Sequence, residues 1–370
     1  MIAHILYPNY YIDVNKNKHI GGIETYIDEL IVILKSENIK YHLHQCSDIS
    51  FELVEDSGFV SSYALKELDF KRMKKKLFDM ARSKINSDDL IIFAADQISV
   101  KNDFKNTIAI QHGVYWDLPI DNSLKSKLKK VYSKYQATKR ISNVNRFVTV
   151  DYNYLNWLRT CDYNLSNRVK VIPNFSNTED FKIRKEVFSD QKIKILFARR
   201  FVEYRGVKLF VDALNSLTPK VKSNIEVTFA GDGPLKDYIE KNLLEINYSF
   251  DKYKSSESVN YHRNFDIAVV PSIGSEGTSL SAIEAMAAGC VVVCSNVGGM
   301  TNIILDGYNG YLVAPTVKSL QSRLTKIIED SVSDKDIVKK LSENATKTVA
   351  SSFSIDKWRK EWRELLDEYK

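Results

Sequence analysis

The sequence predicts an α/β protein of two Rossmann-like domains, each a parallel sheet flanked by helices, facing each other across a cleft. Three observations carry that reading. The chain has 370 residues, more than one ordinary core organises. Short apolar runs alternate with stretches of helical period, which signals parallel strands joined by helices. After a polar connection through Asp190 the alternation starts again.

In the first half, residues 2–7 read as a strand and 22–34 as a helix. Further strands are expected at 90–94, 107–110 and 146–150, each followed by a turn or polar residue. Val171-Ile172-Pro173-Asn174 closes this half. The second series has strands at 194–198, 225–230, 265–270, 290–294 and 311–313. Its helices are expected at 207–217, 234–244, 280–288 and 317–329, with Gly289 where a left-handed carboxyl-terminal cap is wanted. A last helix over 354–369 carries Trp358, Trp362 and Leu366 on one stripe.

Composition excludes several classes. Hydrophobic content of 44% with 27% charged residues fits a chain folded throughout. Cys46, Cys161, Cys290 and Cys294 lack the spacing of a disulfide framework or zinc site. Cys290 and Cys294 flank a run of valines and read as packed thiols, so no metal is assigned and a reducing cytoplasm fits. No run approaches the ~18 apolar residues of a membrane span, and no signal peptide opens the chain. The expectation is a cytoplasmic protein, neither secreted nor membrane-spanning. The net charge of +6 suits an anionic nucleotide, an anionic membrane surface, or nothing specific.

The most informative stretch runs Ser275-Glu276-Gly277-Thr278-Ser279-Leu280-Ser281-Ala282-Ile283-Glu284-Ala285-Met286-Ala287-Ala288-Gly289, after the strand that ends at Pro271. A strand, a loop of small residues and a helix amino terminus point unpaired amides and a positive dipole end at one place, which suits a diphosphate. A random pair of glutamates would be a solvated loop acid and a helix surface charge. Glu284, however, sits in a run too apolar for a solvent face, so its carboxylate needs a partner.

In this setting the sequence resembles glycosyltransferase family 4, the retaining group with the GT-B fold, whose signature is a Glu, seven residues and a second Glu. The resemblance implies that Glu276 contacts donor-sugar hydroxyls. It gives the amides of Gly277, Thr278, Ser279 and Leu280 the sugar and phosphate, and Glu284 the nucleotide ribose. The run Phe197-Ala198-Arg199-Arg200-Phe201-Val202-Glu203-Tyr204-Arg205-Gly206 is similar to the family's Gly-Arg-Leu-x-x-x-Lys-Gly element, giving Arg200 and Arg205 the donor diphosphate. It departs twice: Arg199 stands for Gly, and Arg205 for Lys, a planar fork in place of a compact ammonium. Ala230-Gly231-Asp232-Gly233-Pro234 resembles another family turn, though turn geometry alone accounts for most of it.

In the first half, Gly21-Gly22-Ile23-Glu24 is similar to the family's Gly-Gly-x-Glu loop, where glycine lets backbone approach the donor phosphates. It is not the dinucleotide fingerprint G-x-G-x-x-G. Gln111-His112-Gly113 follows a strand at its carboxyl end, the edge where open α/β sheets bind ligands. By resemblance His112 lies beside the transfer centre, whereas His4, His19, His42, His44 and His262 read as structural.

The resemblance thus implies a metal-independent hexosyltransferase-type enzyme with no cofactor beyond its donor, a UDP- or GDP-sugar. The acceptor is a saccharide or lipid-linked glycan of bacterial surface polysaccharide or lipopolysaccharide synthesis. Residues 1–175 would bind acceptor, with 354–370 crossing back onto them, and 190–350 would bind the nucleotide sugar. Configuration is retained by front-face attack, so Glu276 positions the sugar and is not a double-displacement nucleophile. From Leu124 to Arg140 an apolar stripe of Leu124, Leu128, Val131 and Tyr135 is surrounded by lysines with no acid, and residues 71–84 are similarly basic. Docking on an anionic membrane and an ordinary amphipathic helix both fit. No nucleic-acid partner is expected, and the sequence is silent on oligomeric state. A nucleotide-sugar 2-epimerase, a glycogen-type phosphorylase and a non-catalytic binding module are the competing readings; motif spacing disfavours the first, and the absence of an evident pyridoxal-phosphate lysine site the second.

Overall fold

A computed structural model describes residues 1–19, 21–114, 123–176, 188, 192–274 and 276–370. Asp190 and Ser275 lie outside that set. The chain divides into two compact units, one of Met1–His112, Asn122–Ile172 and Arg359–Lys370, the other chiefly Pro173–Trp358.

In the first unit the strands are β1 (Ile2–Leu6), β2 (Lys40–Ser47), β3 (Phe51–Glu55), β4 (Gly58–Ala64), β5 (Leu90–Phe93), β6 (Thr107–Gln111), β7 (Arg146–Thr149) and β8 (Val169–Val171). They form one sheet in the order β3-β4-β2-β1-β5-β6-β7-β8. Every pairing is parallel except β3 with β4. Central β5 is buried at every residue, as a strand covered on both faces must be. The helices are α1 (Gly22–Ser36), α2 (Phe70–Arg82), α3 (Leu124–Ile141), α4 (Tyr152–Cys161) and α5 (Tyr163–Ser166).

Periodicity misses β2, because its buried positions include His44, Gln45 and Ser47, which do not read as apolar. It also misses the β3–β4 hairpin at the sheet edge, where β3 buries no residue fully. The two basic helices differ. In α2 Met73, Leu77, Phe78 and Ala81 are buried, so its lysines are the wet side of a core helix. In α3 only Ala137 and Ile141 are buried; Leu124 is 73% exposed, Leu128 60%, Val131 64% and Tyr135 53%.

In the second unit β9 (Ile193–Ala198), β10 (Ile225–Ala230), β11 (Asn247–Asp251), β12 (Ile267–Val270), β13 (Val291–Ser295) and β14 (Tyr311–Val313) pair in the order β11-β10-β9-β12-β13-β14. All these pairings are parallel. The helices are α6 (Val207–Asn215), α7 (Pro219–Ser223), α8 (Lys236–Asn242), α9 (Ser258–His262), α10 (Leu280–Ala287), α11 (Val317–Ser333) and α12 (Lys335–Ser352). Alternation along the strands sorts the core into two layers. Ile195, Phe197, Val227 and Val293 pack with α6, α8 and α11, while Leu196, Ala198, Val292 and Cys294 pack with α9, α10 and α12. Cys290 and Cys294 are buried free thiols in that second layer. Gly289 has φ +80° and ends α10 in the left-handed conformation expected of it.

The last helix, α13 (Ile355–Asp367), begins in the second unit, and Arg359 onward belongs to the first. There the Trp362 indole N–H donates to Tyr26 Oη at 2.9 Å, Arg359 pairs with Glu29 at 2.8 Å, and Arg146 pairs with Glu368 at 2.6 Å. The stripe residues Trp362 and Leu366 are fully buried.

Candidate functional site

In the second unit the strand ends build a charged cluster. From β9 the chain passes through Arg199 and Arg200 into a 3-10 turn, Glu203–Arg205, and enters α6 after Gly206. Gly206 has φ +79°, and a Cβ there would lie 1.8 Å from the Pro271 carbonyl oxygen. Only glycine lets this turn lie against the end of β12. The Ile273 amide, donating to the Tyr204 carbonyl at 3.1 Å, closes the same contact.

Glu276 is buried in the loop after β12. Its carboxylate accepts from Arg199 Nη2 at 2.8 and 3.0 Å, from the Ser272 hydroxyl at 2.8 Å, and from Arg205 Nη1. Burial by itself raises this carboxyl's pKa, but the two guanidiniums outweigh it and hold the group near 2. Glu276 is therefore an anion with donors crowded onto it. Its backbone is pinned as well: the Gly299 amide donates to the Glu276 carbonyl at 2.8 Å. A Cβ on Gly299 would meet the Gly277 carbonyl carbon at 2.3 Å.

The loop then feeds α10. Asn174 fixes it, its amide donating to Thr278 Oγ1 at 2.9 Å and its Nδ2 to the Thr278 carbonyl at 2.5 Å. Ser279 is the N-cap in extended conformation, and its side chain makes no capping bond. The first amides of α10 are thus open to an external acceptor. One turn in, Glu284 is half-buried, and the nearby Ser258 hydroxyl favours its ionised form. Burial drives its pKa up to about 7, and Ser258 offsets only part of that. The two glutamates of one motif therefore differ: Glu276 is held ionised, while Glu284 titrates near neutral pH.

Arg200 is exposed and donates to the Tyr204 hydroxyl at 3.1 Å, and the Arg205 guanidinium lies over the Tyr204 ring, 4.9 Å from its centroid. Arg205, expected to face a diphosphate, is engaged by Glu276. Sequence reasoning counted Arg199 only as a departure from a pattern and did not single out Ser272 or Asn174. The available signal for Arg199 was its position: the first residue beyond a buried strand whose neighbour in the sheet leads to Glu276.

In the first unit, Gly21 caps α1 in extended conformation and Gly22 is its first residue. The Thr25 amide donates to the Gly21 carbonyl at 3.1 Å, and Glu24 accepts from the Tyr7 hydroxyl at 2.9 Å. His112 follows β6. Its Nε2 is 2.8 Å from the Ala94 carbonyl, which can only accept, so Nε2 carries the proton and Nδ1 the lone pair. Burial lowers the imidazole pKa to about 4, which keeps the ring neutral. Tyr26 packs edge-on against it at 5.2 Å.

His4, His42 and His44 share one face of β1 and β2, with ligand atoms within 4.8 Å of one another. Two hydrogen bonds run through the cluster. Tyr63 Oη lies 3.0 Å from His44 Nδ1, His44 Nε2 lies 3.0 Å from His4 Nδ1, and His4 Nε2 faces Asp89 at 3.5 Å. His42 stacks on His44 at 4.1 Å, so their in-plane lone pairs do not converge on one ion. His4 Nε2 is buried and makes no hydrogen bond within the 3.5 Å limit of a bond among the described residues.

Residues 178–348 match the family described as "Glycosyl transferases group 1". An uncharacterised glycosyltransferase of Methanocaldococcus jannaschii is 27% identical, over 99% of this chain and 100% of its own. Among solved structures, WaaG, a glycosyltransferase involved in lipopolysaccharide biosynthesis, superposes with a TM-score of 0.71 at 13% identity, covering 98% of this chain and 99% of its own. HepE of Anabaena in complex with UDP-glucose gives 0.67 at 15% identity, with 100% of both chains covered.

Proposed function

From the premise that this chain is a group 1 glycosyltransferase with the two Rossmann-like units of the GT-B fold, we propose that it is a retaining, metal-independent enzyme. It transfers a hexose from a nucleotide sugar, UDP- or GDP-linked, to a saccharide or lipid-linked acceptor in surface polysaccharide or lipopolysaccharide synthesis. The observation that carries the reading is the anionic Glu276, clamped beside the uncapped start of a helix that holds Glu284 on its second turn. One carboxylate suits sugar hydroxyls, the open amides suit phosphate, and the second carboxylate suits ribose. UDP-glucose in HepE and the pathway of WaaG support the nucleotide and the setting.

As the bond from the anomeric carbon to the phosphate oxygen breaks, negative charge grows on the leaving diphosphate. Arg200, Arg205 and the amides of Gly277, Thr278, Ser279 and Leu280 stabilise it, each such preorganised donor being worth about 3 to 4 kcal/mol of barrier. The acceptor oxygen bonds to the same face, and its proton passes to the leaving phosphate. Neutral His112, with its Nδ1 lone pair, contacts sugar or acceptor. The exposed Leu124, Leu128, Val131 and Tyr135 of α3, ringed by lysines, dock on the anionic cytoplasmic face of a membrane, each basic residue adding about 1 kcal/mol.

The test is a screen of UDP-, GDP-, dTDP- and ADP-sugars by thermal shift and by donor hydrolysis, with and without chelator. One donor should stabilise and be slowly hydrolysed regardless of chelator, and Arg205→Ala should lose both. Release of a free epimerised sugar without acceptor would instead favour an epimerase, and no response even with lipid extract would defeat the transferase reading.

A further inference from the structure

We infer that Arg199 is a positioning residue for sugar transfer, acting through Glu276. The inference rests on the reading of Glu276 as the carboxylate that holds the donor sugar. Arg199 is only 9% exposed, and one of its nitrogens, Nη2, spans both Glu276 oxygens at 2.8 and 3.0 Å. Held that way, the carboxylate cannot rotate about its last torsion without losing one of the bonds.

The load on the two oxygens is uneven. Oε2 also accepts from Ser272 and Arg205, whereas Oε1 accepts from Arg199 alone among the described bonds. A carboxylate oxygen has room for about two acceptances, so Oε1 is the atom with capacity for a sugar hydroxyl. Arg199 fixes where that lone pair points. Arg205 has a second call on it, the donor phosphate, and a guanidinium that leaves Glu276 for phosphate would otherwise strand a buried anion. With Arg199 in place the carboxylate keeps a cation throughout, so Arg205 is free to exchange partners as the donor binds.

The site is built for this arginine. A Cβ on Gly231 would stand 2.2 Å from the Arg199 carbonyl oxygen, and the neighbouring Phe201 amide donates to the Asp232 carbonyl at 2.8 Å. The Gly-Asp-Gly turn after β10 thus fixes the backbone from which the side chain reaches Glu276. Burial works against the charged guanidinium and Glu276 supports it, so the two ions depend on each other.

The experiment measures binding of the nucleotide sugar and of the bare nucleoside diphosphate to the wild type, Arg199→Gln and Arg199→Lys across pH 5 to 9, alongside donor turnover. In Arg199→Gln the diphosphate should bind within about twofold of wild type, while the extra affinity given by the sugar falls about tenfold. Turnover should fall on the order of a hundredfold, the scale of a misplaced contact group. An acid limb in the remaining sugar-dependent affinity, which for the wild type lies below pH 5, should move up toward the measured range, because burial then acts on Glu276 with one cation fewer. Arg199→Lys should recover part of both. If Arg199→Gln melts earlier but keeps the wild-type ratio of sugar-nucleotide to nucleotide affinity and the same acid limb, its role is structural and the inference fails. A wild type that does not distinguish the sugar nucleotide from the diphosphate would instead overturn the assignment of Glu276, and this inference with it.

Discussion

Replacing Glu284 by Gln should make the protein more stable and less able to bind its nucleotide. The carboxyl pKa rises from 4.5 in the unfolded chain to about 7 in the fold, chiefly through burial. An acid that binds its proton more tightly when folded favours the fold at low pH. That contribution is lost as pH climbs from 4.5 through 7 and stays lost above. The gap of about 2.5 pH units corresponds to an upper bound of about 3 kcal/mol at pH 8. Residual solvent contact reduces the expected gain to about 1 to 2 kcal/mol, or about 2 to 6 °C in Tm for a unit of this size. Thermal denaturation without ligand at pH 8 and pH 5 measures it. The gain should be present at pH 8 and under about 1 kcal/mol at pH 5, and the nucleotide-induced rise in Tm should vanish in the variant at both. Equal gains at the two pH values, or none at pH 8, would refute the argument that a buried charge is the cause.

Gly206→Ala should cost about 2 to 4 kcal/mol, since it adds a Cβ at a positive φ against the Pro271 carbonyl; chemical denaturation reads this directly. His112→Ala should lower kcat by about a hundredfold with diphosphate affinity intact, and because the ring pKa lies near 4, no limb near pH 6.5 in the wild-type rate profile should trace to it. Leu128→Asp with Val131→Asp should abolish co-sedimentation with vesicles of one-quarter or so anionic lipid while leaving Tm within about 1 °C, because both side chains are exposed. Binding that persists would remove α3 as the docking surface.

The second unit was legible because its chemistry is written in apolar strands. β12 is wholly apolar and β13 nearly so, β9 is broken only by Lys194 and β10 by Glu226 and Thr228, and the glutamates follow β12 at a fixed step. The first unit concealed β2 because its buried His44 is bonded to Tyr63 and to His4 of β1, and hydropathy counts a histidine as exposed. Edge strands β3 and β11 alternate only between half-buried and exposed residues and so carry a weak apolar signal. At the site, the loop and helix were visible, and so was Glu284's need for a partner. That Ser258 would lie near it was not, because tertiary packing brings it from 26 residues away in sequence. Arg199 was hidden for a different reason: it departs from a familiar pattern, and a departure draws attention to what is missing more readily than to what has been put there.

Arg359–Lys370 belong to the first unit although the whole second unit is encoded before them. During synthesis the first sheet therefore emerges without Trp362 against Tyr26 or Arg359 against Glu29. Tyr26 is the ring that abuts His112, so that histidine's surroundings are completed only when the last helix leaves the ribosome. The second unit, continuous over Pro173–Trp358, has no such wait. A nascent chain halted before residue 359 would hold a finished glutamate cluster and an unfinished histidine pocket, and the order of translation would itself keep the two halves from working together too early.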